Sequence, residues 1–242
     1  MSERVDKVLV DLGILKTRSQ AKMLIDQGCV FHNEIQVLKA GLKVEASDRF
    51  EVREKNIYVS RGAYKLEKAI ELFQLNLKGK IVADIGASTG GFTEVSLSEG
   101  ASRVYSIDVG HGQLVDSLRH NNKVINLEGI NIKYPLELPE KVDLCVVDLS
   151  FISLRLVYEN IHSLLSEKGY AVVLIKPQFE AGRQRLGKQG LVPQALQEVI
   201  LNEVKQWFLN KSFHIESVID SPIKGNKSGN KEYLALIKKQ NN

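Results

Sequence analysis

From Gly62 onward the sequence predicts an α/β domain built on a largely parallel sheet covered on both faces, and before it a small α+β module. Three observations carry that reading. Short apolar segments alternate with stretches of helical periodicity. The first such segment runs into a glycine-rich turn, Ala83-Asp84-Ile85-Gly86-Ala87-Ser88-Thr89-Gly90-Gly91-Phe92, that opens a helix. The second ends on a carboxylate, Asp108.

The elements follow in order. Arg4 to Leu12 carries Val5, Val8, Leu9 and Leu12 at helical spacing. Thr17-Arg18-Ser19-Gln20 is a capping box for a second helix with Ala21, Leu24 and Ile25 on its apolar face and Gly28 as its stop. Cys29-Val30-Phe31, a turn at His32-Asn33-Glu34, Ile35-Gln36-Val37 and Arg49-Phe50-Glu51-Val52 read as small strands. The expected boundaries are 1–55 for this module, 56–61 for a short linker that restricts domain motion, and 62–242 for the large domain. In the large domain, strands are expected at 81–86, 103–108, 123–127, 142–148, 170–175, 213–219 and 233–238. Helices are expected at 62–74, 90–99, 112–119, 153–166 and 193–209. No helix separates the last two strands, so a hairpin there makes the last strand of the seven antiparallel.

Composition narrows the function classes without choosing one. With 242 residues, 43% hydrophobic and 26% charged, the chain can bury a sizeable core. Apolar runs such as Tyr170 to Ile175 stop at about six residues, far short of the roughly 18 of a membrane helix. Met1 to Lys7 has no apolar core of a secretory signal, and a cytoplasmic protein is expected. Cys29 and Cys145 sit in apolar strands and suit reduced core thiols. The five histidines form no ligand cluster, so no metal is expected. A net charge of +4 is compatible with a polyanionic partner and demands none.

The glycine turn lets backbone N–H groups and a helix N-terminus approach a ligand, while Asp84 can orient the turn or take an amine. Its spacing matches neither G-x-G-x-x-G nor a phosphate loop ending in Gly-Lys-Ser/Thr, which leaves a nucleotide-like ligand without a long phosphate chain, or an ordinary strand-to-helix turn. In such sheets ligands bind beyond the carboxyl ends of the strands. Asp108, 24 residues after Asp84, stands where a carboxylate meets ribose hydroxyls, and Glu128 and Asn131 follow the third strand where an adenine would lie. Candidate cofactor contacts are therefore Asp84, Gly86, Ser88, Gly90, Gly91, Phe92, Asp108, Glu128, Asn131 and Asp148.

Two resemblances sharpen this. Arg4-Val-Asp-Lys7, Lys16-Thr-Arg18-Ser-Gln-Ala-Lys22 and Gly28-x-Val30, followed by a turn and Val37, resemble the αL RNA-binding motif of a ribosomal protein, pseudouridine synthases and tyrosyl-tRNA synthetases. The resemblance implies that Arg4, Lys7, Lys16, Arg18 and Lys22 contact RNA phosphates. Ten basic against nine acidic residues in 1–60 make any such surface a local face, and by charge alone these lysines and arginines read as a solvated helix surface.

The glycine turn, the acidic tip and Asp148-Leu-Ser-Phe151 resemble the S-adenosylmethionine-dependent 2′-O-ribose methyltransferases of the FtsJ (RrmJ) type. With the αL module in front, nearly the whole chain is similar to the TlyA family, known as hemolysin A or rRNA 2′-O-methyltransferase. The resemblance implies a Rossmann-like methyltransferase sheet, S-adenosyl-L-methionine as cofactor, ribosomal RNA or a ribosomal subunit as partner, and a cytidine ribose as acceptor. It also implies a Lys-Asp-Lys-Glu tetrad, matched by Lys65, Asp148, Lys176 and Glu232.

A ribose hydroxyl is a poor nucleophile and needs a base or a strong polariser together with in-line alignment. Lys176 is assigned to the 2′-hydroxyl as base or as positioned hydrogen-bond partner, a choice the sequence leaves open. Lys65 is expected to position the nearby phosphate and to depress the pKa of its neighbour, with Asp148 and Glu232 orienting both lysines. Leu149-Ser150-Phe151 differs from the Asp/Asn-Pro-Pro-aromatic run of enzymes that methylate exocyclic amines, which favours an oxygen acceptor. Arg61, together with Arg183, Arg185 and Lys188 in the glycine-containing loop 178–191, completes the candidate RNA contacts, although that loop reads equally as a solvated one. A second basic loop, 224–231, precedes Glu232 and would grip the target strand. Two other classes remain: a hemolysin or membrane-active protein, after the family's other name, and an RNA-binding protein without catalysis.

Overall fold

The computed structural model describes residues 2–15, 17–26, 28–52, 58–187, 190–209, 211, 213–223 and 230–239. The chain divides into two compact units, Met1–Ile57 and Tyr58–Asn242.

In the first unit, β1 (Glu3–Arg4) leads into α1 (Val5–Asp11), followed by α2 (Arg18–Asp26), β2 (Val30–His32), β3 (Ile35–Gln36), β4 (Lys43–Val44) and β5 (Phe50–Val52). Thr17 Oγ1 accepts from the Gln20 N–H at 3.1 Å, which realises the N-terminal half of the capping box. Gly28 lies at φ +76° as the helix stop requires. Asn33 and Glu34 both have positive φ, the geometry of a two-residue hairpin turn between β2 and β3. Val5, Val8, Leu9, Ala21, Leu24, Ile25 and Val30 close the core. The two-residue β1·β4 ladder has no signature in the sequence because strands that short carry no periodicity.

In the second unit the elements are α3 (Ala63–Phe73), β6 (Ile81–Ile85), α4 (Gly91–Ser98), β7 (Arg103–Ile107), α5 (Asp116–Arg119), β8 (Val124–Leu127), β9 (Val142–Val147), α6 (Tyr158–Leu164), β10 (Leu165–Ile175), α7 (Pro177–Glu180), α8 (Gln194–Leu209), β11 (Phe213–Asp220) and β12 (Tyr233–Lys239). The seven strands are ordered β11-β12-β10-β9-β6-β7-β8, and β12 runs antiparallel to both of its neighbours while the other pairs are parallel. The mostly parallel seven-stranded sheet with an antiparallel last strand is thus as expected. Alternate residues feed two cores: Ala83, Ile85, Cys145 and Val147 pack under α6 and α8, and Val82, Val104, Leu144 and Val146 pack under α3 and α4.

Three boundaries differ from expectation. The helix expected at 112–119 is only Asp116–Arg119, because Val115 is extended at φ −62° and ψ 148° and the helix begins after it. The helix expected at 153–166 is a 3-10 turn, Leu154–Leu156, followed by α6, and Leu165 already pairs with Val142 at the start of a bulged β10. The expected linker 56–61 begins outside the described residues, and from Tyr58 it packs into the second unit: the Tyr58 hydroxyl donates to Glu67 at 3.1 Å and the Val59 N–H to Glu94 at 2.7 Å.

Candidate active site

The carboxyl ends of β6, β9 and β10 and the amino end of the reversed β12 meet at one edge of the sheet, since Ile175 pairs with Tyr233 and the Asp148 N–H donates to the Ile85 carbonyl. A cavity of about 1040 Å³ opens there. It exceeds the roughly 300–1,000 Å³ common for small-molecule sites, enough for a cofactor and an acceptor nucleoside together.

Lys65 on α3, Asp148 after β9, Lys176 after β10 and Glu232 before β12 all line it. Asp148 sits between the two lysines, with Lys65 Nζ 3.2 Å from Oδ2 and Lys176 Nζ 2.5 Å from Oδ1. Lys65 Nζ also donates to Glu232 Oε2 at 2.8 Å, and Lys176 Nζ to Ser150 Oγ at 3.2 Å. Burial alone would push the Lys65 ammonium down, but Asp148 and Glu232 hold it above its ordinary value. Burial likewise opposes ionisation of Asp148, and the two lysines outweigh it and keep the carboxyl below the usual range. Lys65 is therefore a fixed cation. Lys176, held by one carboxylate shared with Lys65, presents its amine beside a hydroxyl.

Gly86, Ser88, Gly91 and Phe92 line the same cavity from the glycine turn. Gly86 lies at φ +89°, and a Cβ there would stand 2.5 Å from the Asp148 carbonyl oxygen; one at Gly91 would meet Ser60 Oγ and, at 3.1 Å, the Ala63 nitrogen. The bare backbone forms a cradle in which side chains have no room. Gly90, at φ +101°, faces Leu114 and Leu118 and caps α4. These residues fit an adenosyl-type cofactor.

The remaining cofactor candidates lie off the cavity wall. Asp84 is fully buried, where it accepts from Thr93 Oγ1 at 2.7 Å, and its other oxygen has no partner. Burial pushes its carboxyl up to about 7. Asp108 accepts from the Ser88 N–H at 2.8 Å and the Gly110 N–H at 2.7 Å, bracing the turn. Glu128 accepts from the Gly112 N–H at 2.9 Å and Asn131 from the Lys133 N–H at 3.0 Å.

Arg61 and Arg183 line the cavity, Arg185 pairs with Glu203 on α8 at 2.8 Å, and Lys188 lies outside the described residues. Most of the basic loop 224–231 lies outside them as well. In the first unit, Arg4 and Arg18 converge on one buried carboxylate, with Arg4 Nε 2.9 Å from Asp6 Oδ1 and Arg18 Nη2 2.9 Å from Asp6 Oδ2. Lys7 pairs with Glu3, Lys22 is exposed, and Lys16 is outside the described residues. Sequence reasoning passed over Asp6, Ser150, Phe151 and Phe179 as site residues. Phe151 is 89% exposed at φ +64°, with its ring 5.2 Å from that of Phe179 at the cavity wall. An aromatic residue three places after Asp148 was the available signal. Among the described residues no three metal-binding side chains cluster, and no helix is long and apolar enough to cross a membrane.

A parallel sheet with one reversed strand carries a glycine cradle and a lysine-carboxylate set at its strand ends, and the family comparison makes this the site of an S-adenosyl-L-methionine-dependent methyltransferase. Residues 58–239 match the model of the FtsJ-like methyltransferase family and residues 3–50 that of the S4 domain. The chain belongs to the FtsJ-like methyltransferases and, through its S4 domain, to their TlyA group. It is 41% identical over 239 residues to Hemolysin A of Brachyspira hyodysenteriae, covering 96% of this chain and 98% of that protein. It is 39% identical over 243 residues to the 16S/23S rRNA (cytidine-2′-O)-methyltransferase TlyA of Mycobacterium tuberculosis, covering 98% and 90%. A solved Streptococcus thermophilus structure described as a hemolysin superposes with a TM-score of 0.76 at 39% identity, over 99% of this chain and 89% of that one.

Proposed function

We propose that this protein transfers a methyl group to the 2′-hydroxyl of a ribose in ribosomal RNA, at a cytidine, with the S4 unit binding the RNA backbone. The observation that carries it is the sharing of Asp148 by Lys65 and Lys176 inside the cavity that also holds the glycine cradle. The cofactor supplies an electrophilic methyl on a sulfonium. Lys176, placed between Asp148 and Ser150, takes or polarises the proton of the acceptor hydroxyl, and Lys65, kept charged by Asp148 and Glu232, fixes the geometry and faces the acceptor's phosphate. Gly86, Ser88, Gly91 and Phe92 hold the cofactor, while Asp84 and Asp108 shape the turn from behind and Glu128 and Asn131 stand at the adenine side. A ribose in folded RNA reaches such a cavity by extrusion of its nucleotide, and Arg61 and Arg183 at its wall suit the flanking phosphates. Arg4, Lys7, Arg18 and Lys22 supply phosphate contacts in the S4 unit. A ribosomal RNA acceptor, as named for the Mycobacterium tuberculosis relative, supports a protein that works beside ribosomes in the cytoplasm.

The test is transfer of tritiated methyl from S-adenosyl-L-methionine to purified ribosomal subunits and to naked rRNA, with alkali-resistant positions mapped and Lys176→Ala as control. Label in a ribose that vanishes in the variant is the expected result. Cofactor binding without label on any RNA would overturn the reading.

A further inference from the structure

Two segments carry the acceptor side of the cavity, 148–154 after β9 and 176–181 after β10. They touch at Asp148 with Lys176, at Ser150 with Lys176, and at Phe151 with Phe179. A further link lies behind these, away from the cavity. Glu180, at the end of α7, is buried, with its side chain only 2% exposed. Its Oε2 accepts from the Ser153 hydroxyl at 2.6 Å and its Oε1 from the Leu154 N–H at 2.8 Å, and Arg155 Nε lies 3.9 Å from Oε2. The α7 turn passes this constraint back to the lysine, because the Phe179 N–H donates to the Lys176 carbonyl at 2.9 Å and the Ala181 N–H to that of Pro177.

We propose that Glu180 is a positioning residue for methyl transfer, a latch that clamps segment 148–154 to the Lys176–Ala181 turn and thereby sets Lys176 against Asp148 and Ser150. It rests on the methyl-transfer reading for its catalytic consequence, and on geometry alone for the latch. A buried carboxylate is an expensive anchor, retained where its donors satisfy it. Burial indeed pushes the Glu180 carboxyl up, against the pull of Ser153 and Leu154. The clamped segment needs the anchor, since Phe151 sits in a left-handed conformation that persists only where its surroundings over-determine it. Glu180, Ser153 and Leu154 hold the far end of the segment from Asp148 and Leu149, which abut the glycine turn at Gly86, so cofactor binding changes little when the latch is lost.

Glu180→Ala, Glu180→Gln and Ser153→Ala, made in the full chain, test this by steady-state transfer and by hydrogen exchange. In Glu180→Ala kcat drops at least tenfold while KM for S-adenosyl-L-methionine stays within twofold. Ser153→Ala gives a smaller loss, and the double variant is no worse than Glu180→Ala. Glu180→Gln restores at least half of the activity, because its amide oxygen still accepts from Leu154 and its amino group donates to Ser153 Oγ. Amides of 149–156 exchange faster in Glu180→Ala, whereas those of β9 do not change. Near-wild-type kcat in Glu180→Ala, or unaltered exchange in 149–156, would overturn the latch. Should Glu180→Ala fail to fold, Ser153→Ala and Glu180→Gln decide by the same two readouts. Wild-type protein that labels no RNA would sink the functional reading, and exchange would still judge the latch.

Discussion

Lys65 and Glu232 are 167 residues apart in sequence, yet their side chains meet at 2.8 Å in the wall of the cavity. The contact joins α3 to the entry of β12, and Asp148 completes the ion network from the other side at 3.2 Å. Because all three groups are largely buried, removing the cation leaves Glu232 without its partner and Asp148 with Lys176 alone in a poorly solvated site. Lys65→Ala is predicted to cost roughly 3–5 kcal/mol, the usual penalty for an orphaned buried charge, and to abolish transfer. Chemical denaturation at neutral pH measures the first and the tritium assay the second. Wild-type stability in the variant would show that the pair is solvated after all.

Lys176 differs from Lys65 in having one carboxylate rather than two, and a serine hydroxyl as its other partner. Lys176→Ala is predicted to lower transfer by at least 10²-fold, the contribution typical of a positioned proton acceptor, while calorimetric affinity for S-adenosyl-L-methionine is unchanged. Lys176→Arg should fail equally, since a guanidinium keeps its proton and its planar fork does not fit between Asp148 and Ser150. Retained turnover in the arginine variant would make the lysine a hydrogen-bond donor and not a base.

The sheet was legible in the sequence because its strands repeat an apolar pattern that a two-sided core explains, whereas Lys65, Asp148, Lys176 and Glu232 were legible only through the family resemblance, since Lys65 lies on a helix and the other three flank different strands. Positions set by tertiary contact were not legible. Asp84 reads as a cofactor ligand in sequence, but the structure packs it behind the turn against Thr93, since a residue two places inside a central strand faces the core and not the tip. Arg185 reads as free to meet RNA until α8 brings Glu203 to it. Asp6 carries no local signal, because what matters is the pair of arginines that converge on it from β1 and from the start of α2.

Gly86 tests the cradle. An alanine there combines a positive φ with a methyl group 2.5 Å from the Asp148 carbonyl, so the turn and the β9 tip must separate. Gly86→Ala is predicted to destabilise the unit by roughly 1–3 kcal/mol, in line with strained left-handed residues, and to weaken cofactor binding by more than tenfold. Thermal unfolding and calorimetry give the two numbers. A variant that binds the cofactor normally would remove Gly86 from the site.

Asp84 makes stability depend on pH with an unusual sign. Its folded pKa is raised from 3.8 to about 7, so between those values the folded state holds a proton that the unfolded state has lost. Stability contributed by this group is complete below about pH 4, falls as pH rises toward 7 and is flat above, an upper bound of about 4 kcal/mol at 1.36 kcal/mol per unit. Asp84→Asn keeps an acceptor for Thr93 and cannot ionise. Denaturation of both proteins from pH 4 to 8 should therefore show the variant gaining on wild type as pH increases. A constant difference across that range would mean that Asp84 is ionised in the fold throughout.

The last prediction concerns the S4 unit. Arg4 and Arg18 both lean on Asp6, which is buried, while their own side chains are 49% and 57% exposed. A buried anion that fixes two half-exposed guanidiniums pre-orders them, and burial and the two arginines set its own state: the arginine hydrogen bonds hold the Asp6 carboxyl below the usual range. If the pair grips phosphate, Arg18→Ala removes one ionic contact and the slope of log affinity against log salt falls by about one, with affinity reduced equally for all RNA sequences. Asp6→Asn leaves both charges in place but frees them to move. Its salt slope should match wild type while affinity falls at every salt concentration, a separation of positioning from charge that filter binding to rRNA fragments at several salt concentrations resolves. An unchanged slope in Arg18→Ala would move the RNA surface to another face of the unit.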